Sequence, residues 1–422
     1  MLAFLCLVAL NISLAFAFII VGFIGVIFMK GLGPGLALLG SIPYTLAASY
    51  SLSVLPLFIL MGQFAFHSGT GKDLYATAYK WLGKLPGGLA LATMLACTGF
   101  GACTGSTIAA AATMGSIAFP EMERFHYSRR LSTAVIATGG TLGILIPPSN
   151  MFIIYGIMTE TSIAQLFIAG ILPGLMLSGM YCTLIFIMCL RNPQLGPPGE
   201  RFPWKEKIVS LLGIWGMLVL FFLIIGGLYF GVFTPTEAGA IGSLGAFLLV
   251  VTRRRLTKSV LYDALIDSAR TTCYVMFIIV GAMVFNVFLG TCGFGVALGD
   301  WVNNLSVSRW LILVFILVMY IPFGCFMDAL SMMMLTLPFI YPIVIKLGFD
   351  PIWFGVLMVV LLEMGVLTPP IGLNVFVVTG VTGVPNGEIF RGVTPFILVM
   401  CLGLAILVLF PQISLILPGM MK

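Results

Sequence analysis

Charge is what this sequence has least of. Of its 422 residues only 8% are Asp, Glu, Lys or Arg, while 60% are hydrophobic, and the mean hydropathy is +1.17. Soluble domains carry roughly a quarter charged residues, so a soluble multidomain protein is excluded and a polytopic membrane protein is left. Histidine is nearly absent as well: His67 and His126 have no partners at metal-ligand spacing. The nine cysteines are scattered through apolar runs without CxxC or CxxH spacing, and they read as small buried residues. HExxH, P-loop and nucleophile-elbow patterns are all missing, so neither enzyme chemistry nor a cofactor is expected. No basic segment precedes the first apolar run, which opens at Met1; it is expected to be a retained helix and not a cleaved signal. The net charge of +6 sits in short connecting segments, where it reports topology and not nucleic acid.

What is present is uncharged length. Runs at 1–29, 31–71, 85–120, 131–159, 161–190, 208–236, 271–299, 364–387 and 392–421 each exceed the roughly 20 residues that a spanning helix needs. They are continuous in Leu, Ile, Val, Phe, Ala and Gly instead of alternating, so the fold class is all-α and not a β-barrel. Basic clusters at Lys72–Lys84, Arg124–Arg130, Arg191–Lys207 and Arg253–Lys258 mark cytoplasmic segments. The run between Lys84 and Arg124 has basic flanks at both ends and small residues in its middle, Gly99 to Ser106. It reads as a re-entrant helical hairpin, with a kinked span or a pair of full spans as the alternative. The next run is broken at Pro147-Pro148, and the same break returns at Pro369-Pro370; paired prolines unwind a span into two half-helices.

The breaks belong to a duplication. A shift of 222 residues carries Pro120, Pro147, Pro148 and Pro173 onto Pro342, Pro369, Pro370 and Pro395, and Gly143 and Gly170 onto Gly365 and Gly392. Counting spans places a second hairpin at about 309–345, with its tip at Gly324 to Asp328 and entering from outside. Each hairpin is preceded by a polar interfacial segment, Lys72 to Lys84 and Gly295 to Leu305, and Tyr262 to Arg270 reads as a third. Inverted repeats with helices broken at mid-depth are the signature of a secondary transporter. The expected division is 1–70 as N-terminal scaffold helices, 71–190 as the first repeat, 191–292 as a cytoplasmic loop and further scaffold helices, 293–412 as the second repeat and 413–422 as a tail.

Broken helices present free carbonyls and half-helix N-termini, which bind cations and anions side by side. Two symmetry-related Na⁺ sites follow. The first would draw on Thr104, Gly105, Ser106, Thr141, Pro147, Ser149 and Asn150, and the second on Gly324, Asp328, Thr368, Pro369, Gly372 and Asn374. Close helix packing explains the same small residues equally well. Ser106, Thr107, Asn150, Glu363 and Asn374 are the candidates for contacting a substrate. Of the intramembrane carboxylates, Asp328 and Glu363 read as functional, because a charge at depth is costly; Glu160 and Glu237 read as interfacial.

The motifs together resemble the large membrane subunit of tripartite ATP-independent periplasmic (TRAP) transporters. They are Pro56-Leu-Phe-Ile-Leu-Met-Gly62, Gly99 to Ser106 with Met114-Gly115 and Pro120-Glu121-Met122, Gly139 to Ser149, Leu166 to Gly174, Thr234 to Ala240, and Thr368 to Asn374. The likeness covers essentially the whole chain. It implies an elevator-type transporter of the bacterial inner membrane that imports an organic anion, such as a C4-dicarboxylate or sugar acid, on a Na⁺ gradient. It further implies a periplasmic binding protein that delivers the substrate, and a separate small membrane subunit of about four helices. Asn150 departs from the pattern, where an apolar residue is expected after Pro-Pro-Ser. The alternatives are a stand-alone Na⁺/anion symporter of a related inverted-repeat family and a non-transporting structural membrane subunit.

Overall fold

In the bilayer a backbone amide or carbonyl finds no water, so a chain with this composition has little choice but to close its hydrogen bonds within helices. The computed structural model describes residues 4, 7, 10, 12–295, 297–299, 307–324 and 327–421, and among them there is no strand. We number the helices α1 Leu14–Lys30, α2 Leu32–Ala47, α3 Val54–His67, α4 Thr70–Leu82, α5 Gly88–Thr104, α6 Thr107–Arg124, α7 Arg129–Thr141, α8 Asn150–Thr159 and α9 Ile163–Arg191. After these come α10 Trp204–Tyr229, α11 Pro235–Thr252, α12 Lys258–Thr291, α13 Arg309–Gly324, α14 Ala329–Lys346, α15 Pro351–Gly365, α16 Leu373–Thr382, α17 Asn386–Leu409 and α18 Gln412–Gly419. Among the described residues seven helical stretches are long and apolar enough to cross a membrane.

The 222-residue shift is visible in these bounds. It carries α6 onto α14 at both ends, starts α7 where α15 starts, and brings α8 and α9 to within one residue of the starts of α16 and α17. Pro147-Pro148 and Pro369-Pro370 are both cis. The helical hairpin read between Lys84 and Arg124 is the pair α5 and α6, which turns at Gly105 and Ser106. Its counterpart is α13 and α14; Cys325 and Phe326 of the second tip lie outside the described residues, as does most of the segment Gly295 to Leu305.

One expectation is corrected. Tyr262 to Arg270 is not a separate interfacial segment but part of α12, one helix of 34 residues that starts on the Thr257 cap. No Gly or Pro falls between Lys258 and Val280, so nothing stops the polar first turns from continuing into the apolar run. At a rise of 1.5 Å per residue such a helix is about 50 Å long, more than the hydrocarbon requires.

Small residues decide which helices approach closely, as expected where lipid supplies no hydrophobic drive between helices. Gly22 of α1 faces the backbone of Phe285 and Gly281 of α12 faces Ala15, which seats α1 on α12. Gly239 and Gly242 of α11 take Leu57 and Met61 of α3. The two repeats are joined by polar bonds: Tyr155 donates to Pro351 O (2.7 Å), Tyr341 to Thr159 O (3.2 Å), Arg130 to Arg391 O (2.6 Å) and Asn374 to Ala137 O (3.2 Å).

In both repeats the hairpin meets its own broken helix glycine to glycine. A Cβ on Gly101 would collide with the Cα of Gly143, and a Cβ on Gly324 with the Cα of Gly365. Gly365→Ala should therefore lower the stability of the detergent-purified protein by about 1–3 kcal/mol, the usual cost of overpacking. Gly380→Ala, where nothing stands within 4 Å, should be neutral or slightly stabilising in the same thermal melts.

Candidate functional site

The residues expected to act gather where each hairpin tip meets its break. At the first, Gly105 closes α5 in the left-handed region (φ 57°), and Ser106 caps α6 by accepting from Ala109 N (3.3 Å). Asn150 reaches across the gap, its amide donating to Gly105 O (3.4 Å), and Pro148 O stands 3.0 Å from where a Gly105 Cβ would be. Ser149 caps α8 by accepting from Phe152 N and donates its own proton to Ile144 O. Thr104 and Thr141 donate to Phe100 O (3.2 Å) and Thr138 O (2.8 Å).

Thr104, Thr141 and Ser149 share one chemical property: each gives its proton to a carbonyl, so its oxygen can act only as an acceptor towards anything else. An oxygen in that state can ligate a cation, and Thr368, which donates to Met364 O (2.6 Å), is in the same state at the second break. Asp328 is more heavily engaged: it caps α14, accepting from Leu330 N (3.1 Å), Ser331 N (3.2 Å) and the Ser331 hydroxyl. It also lies within electrostatic range of Tyr274 on α12.

The two pairs are not equivalent. Residues Thr141 to Ser149 of the first break are all buried, whereas Pro369, Pro370 and Ile371 of the second are exposed. Gly372, in the left-handed region at φ 58°, precedes α16, and the Asn374 amide N donates to Val366 O (3.1 Å). The Asn374 side chain, fully buried, turns away from its own break to bond Ala137 O in the other repeat, and its Oδ1 has no partner among the described residues.

The substrate-contact candidates divide in the same way. Ser106, Thr107 and Asn150 lie together and are half-buried at the first tip. Glu363 and Asn374 are wholly enclosed. Neither carboxylate oxygen of Glu363 has a partner among the described residues, and the group lies near the Tyr181 hydroxyl of α9, itself unpartnered. The 222-residue shift puts Thr141 at the position of Glu363, so the same point in the two repeats carries a self-satisfied hydroxyl and an unsatisfied carboxyl. The Tyr181 contact gave no signal in the sequence, because a tyrosine inside an apolar run looks like packing. Among the described residues no three His, Cys, Asp or Glu side chains are grouped as a metal centre.

The model of the family described as "Tripartite ATP-independent periplasmic transporter, DctM component" matches residues 1–413. The chain belongs to the TRAP large-permease family. It is 38% identical over 372 residues to a C4-dicarboxylate TRAP transporter large permease of Pseudomonas aeruginosa, covering 88% of this chain and 86% of that one. It is 33% identical over 389 residues to the isethionate TRAP transporter permease DctMQ of Oleidesulfovibrio alaskensis, covering 90% of this chain and 60% of that longer one. The fold resembles that of the Alcanivorax borkumensis YdaH transporter, with TM-score 0.64 over 91% of this chain and 89% of that one at 14% identity. This TRAP permease is thus a multi-pass protein of the bacterial inner membrane and one component of a three-part organic-acid transporter.

Burial predicts which candidates meet water. In a cysteine-free background, Thr107→Cys and Asn150→Cys should react with a water-soluble maleimide in the folded protein, and Asn374→Cys should react only after denaturation. Mass spectrometry of the labelled protein checks this; equal labelling of all three would contradict the packing around Asn374.

Proposed function

We propose that this TRAP permease is the membrane pathway through which an organic anion enters the cell on a Na⁺ gradient. The observation that carries the reading is the repeated tip-and-break geometry, in which hydroxyls that have given their own protons to carbonyls, Thr104, Thr141 and Ser149 at the first place and Thr368 at the second, keep acceptor capacity for a cation. Na⁺ is the suited ion, since hydroxyls and carbonyls hold it at the first site without a full protein charge, and Asp328 brings one carboxylate to the second. Site one comprises Thr104, Gly105, Ser106, Thr141, Pro147, Ser149 and Asn150; site two comprises Gly324, Asp328, Thr368, Pro369 and Gly372, without the side chain of Asn374, which bonds the other repeat. The substrate is met at the half-buried face of Ser106, Thr107 and Asn150.

The two repeats face opposite ways across the membrane, and their two hairpins and two broken helices move together against a scaffold to which 1–70 and 208–290 contribute. The four polar bonds between the repeats support their moving as one body. A periplasmic binding protein supplies the substrate, and a small membrane subunit of about four helices completes the transporter. The relatives named for C4-dicarboxylate and isethionate act on small organic anions; a carboxylate, either a C4-dicarboxylate or a sugar acid, is the substrate class proposed here.

The test is uptake into proteoliposomes that hold the permease and its small subunit, with the binding protein loaded from a panel of organic acids. Uptake should need Na⁺ and rise sigmoidally with its concentration, with a Hill coefficient above one. Equal uptake when choline replaces Na⁺ would sink the coupling, and equal uptake without binding protein would make the chain a stand-alone symporter.

Residues can be tested in the same vesicles. Thr368→Val keeps the shape and removes the ligand oxygen, so apparent Na⁺ affinity should fall about 5- to 150-fold, the equivalent of 1–3 kcal/mol for one lost polar partner. Thr368→Ser should stay near wild type. An unshifted Na⁺ titration in Thr368→Val would leave the second site to backbone carbonyls alone.

A further inference from the structure

Helix α11 ends in three consecutive arginines that have different work. The chain turns there, with Arg254 N donating to Val251 O (2.9 Å) and Arg255 N to Val250 O (3.0 Å), and with Arg254 in the left-handed region at φ 53°. Arg253 points inward. Its guanidinium donates to Asp73 Oδ2 (2.5 Å), Ser68 O (3.4 Å) and Gly213 O, so one side chain ties α4 to both α10 and α11. Two further bonds continue the seam, Thr77 to Ser210 O (3.0 Å) and Trp81 Nε1 to Lys207 O (3.1 Å). Since 73, 77 and 81 meet 213, 210 and 207, α4 runs antiparallel along the first turns of α10.

Where the seam meets the end of α11 there is an open cavity of about 430 Å³. Leu212, Trp215 and Leu249 give it an apolar wall; Asp73, Arg253 and Arg255 line its polar end. The charge at that end is unbalanced. Asp73 is committed to Arg253, while Arg255 forms no ion pair among the described residues and lays its guanidinium over Gly69, where a side chain would displace it. Arg254 precedes it and Lys258 follows three residues later, also without salt bridges among the described residues. Trp215 and Leu212 are 61% and 68% exposed, as side chains that face lipid tails would be.

We propose that this corner binds a phospholipid with an anionic headgroup, the headgroup on Arg255 and an acyl chain along Leu212, Trp215 and Leu249. A small soluble anion would leave the apolar wall uncovered. A zwitterionic headgroup would bring its own cation against an unpaired guanidinium, whereas an anionic one meets only opposite charge. The three-arginine cluster also lies on the side that the basic segments mark as cytoplasmic. Because α4 packs against α5 of the first hairpin, the lipid sits at the joint between that hairpin and the helices α10 and α11. The inference does not depend on which solute is carried.

The experiment uses the purified full chain in a neutral detergent, with its unfolding temperature followed as phosphatidylglycerol or phosphatidylcholine is titrated in. Phosphatidylglycerol should raise that temperature saturably and phosphatidylcholine should not. Arg255→Gln should need about fivefold more phosphatidylglycerol for the same rise, the worth of one basic residue near an anionic surface. Arg255→Lys should recover most of the response, and Arg201→Gln, in the loop before α10, should match wild type. Arg253 is left intact because it holds α4. An unchanged response in Arg255→Gln, or an equal loss in Arg201→Gln, overturns the site. Inorganic phosphate that reproduces the rise without lipid overturns it too, by assigning the corner to a free anion. If Arg255→Gln fails to fold, the comparison of Arg255→Lys with Arg201→Gln decides, and a lysine form without any lipid response counts against the proposal.

Discussion

Wherever this chain leaves the helix inside the membrane, its bare amides and carbonyls must be covered by protein, because hydrocarbon offers them nothing. The breaks at Pro147-Pro148 and Pro369-Pro370 create that need, and the hairpins answer it. Each tip is brought down on its break by a contact of two glycines, Gly101 on Gly143 and Gly324 on Gly365. Much else follows from those contacts. The tip hydroxyls reach the unwound turn because no side chain intervenes, and the caps supplied by Ser106, Ser149 and Asp328 set the half-helix N-termini beside it. Placing polar atoms there is safe for stability only because they first satisfy one another.

Duplication produced two such places, and divergence has since made them unequal. Thr141 closes a local bond, while Glu363, its counterpart, is buried with two unpartnered oxygens. Asn150 bridges tip to break within the first repeat, whereas Asn374 abandons its own break to bond the other repeat. Two copies with identical side chains would bind with identical affinity. Unequal ones allow one place to hold an ion firmly while the other opens, and the burial of the first break beside the exposure of Pro369 to Ile371 is the geometry such a difference would use.

The duplication, the hairpins and the broken helices were legible because each depends on local rules: proline spacing, glycine content and the charge of flanking loops. The 222-residue shift needed nothing more than those residues, and helix bounds on both sides of it agree to within a residue or two at most starts. What was not legible came from contacts distant in sequence or from missing punctuation. Tyr262 to Arg270 looked like an independent polar segment, yet without a Gly or Pro the helix simply continued. The bond from Asn374 to Ala137 spans 237 residues and has no local sign, so the sequence groups Asn374 with the second break. Tyr181 beside Glu363 and Asp73 beside Arg253 were hidden for the same reason: neither partner of a remote pair announces the other.

The Asp73–Arg253 pair also shows how few polar contacts position a large part of this molecule. Apolar helices in lipid slide against one another at little cost, since tails and side chains solvate each other equally well. Directional bonds therefore set the register, and α4 has three anchor points on α10 and α11 within nine residues of its own length. Its other face packs on α5, and among the described residues no side-chain hydrogen bond joins those two helices. A helix held by directional bonds on one side and by packing on the other takes its register from the bonded side, so α10 and α11 fix where α4 stands beneath the first hairpin. That asymmetry places the strongest polar contact at the end where the arginines 253 to 255 collect.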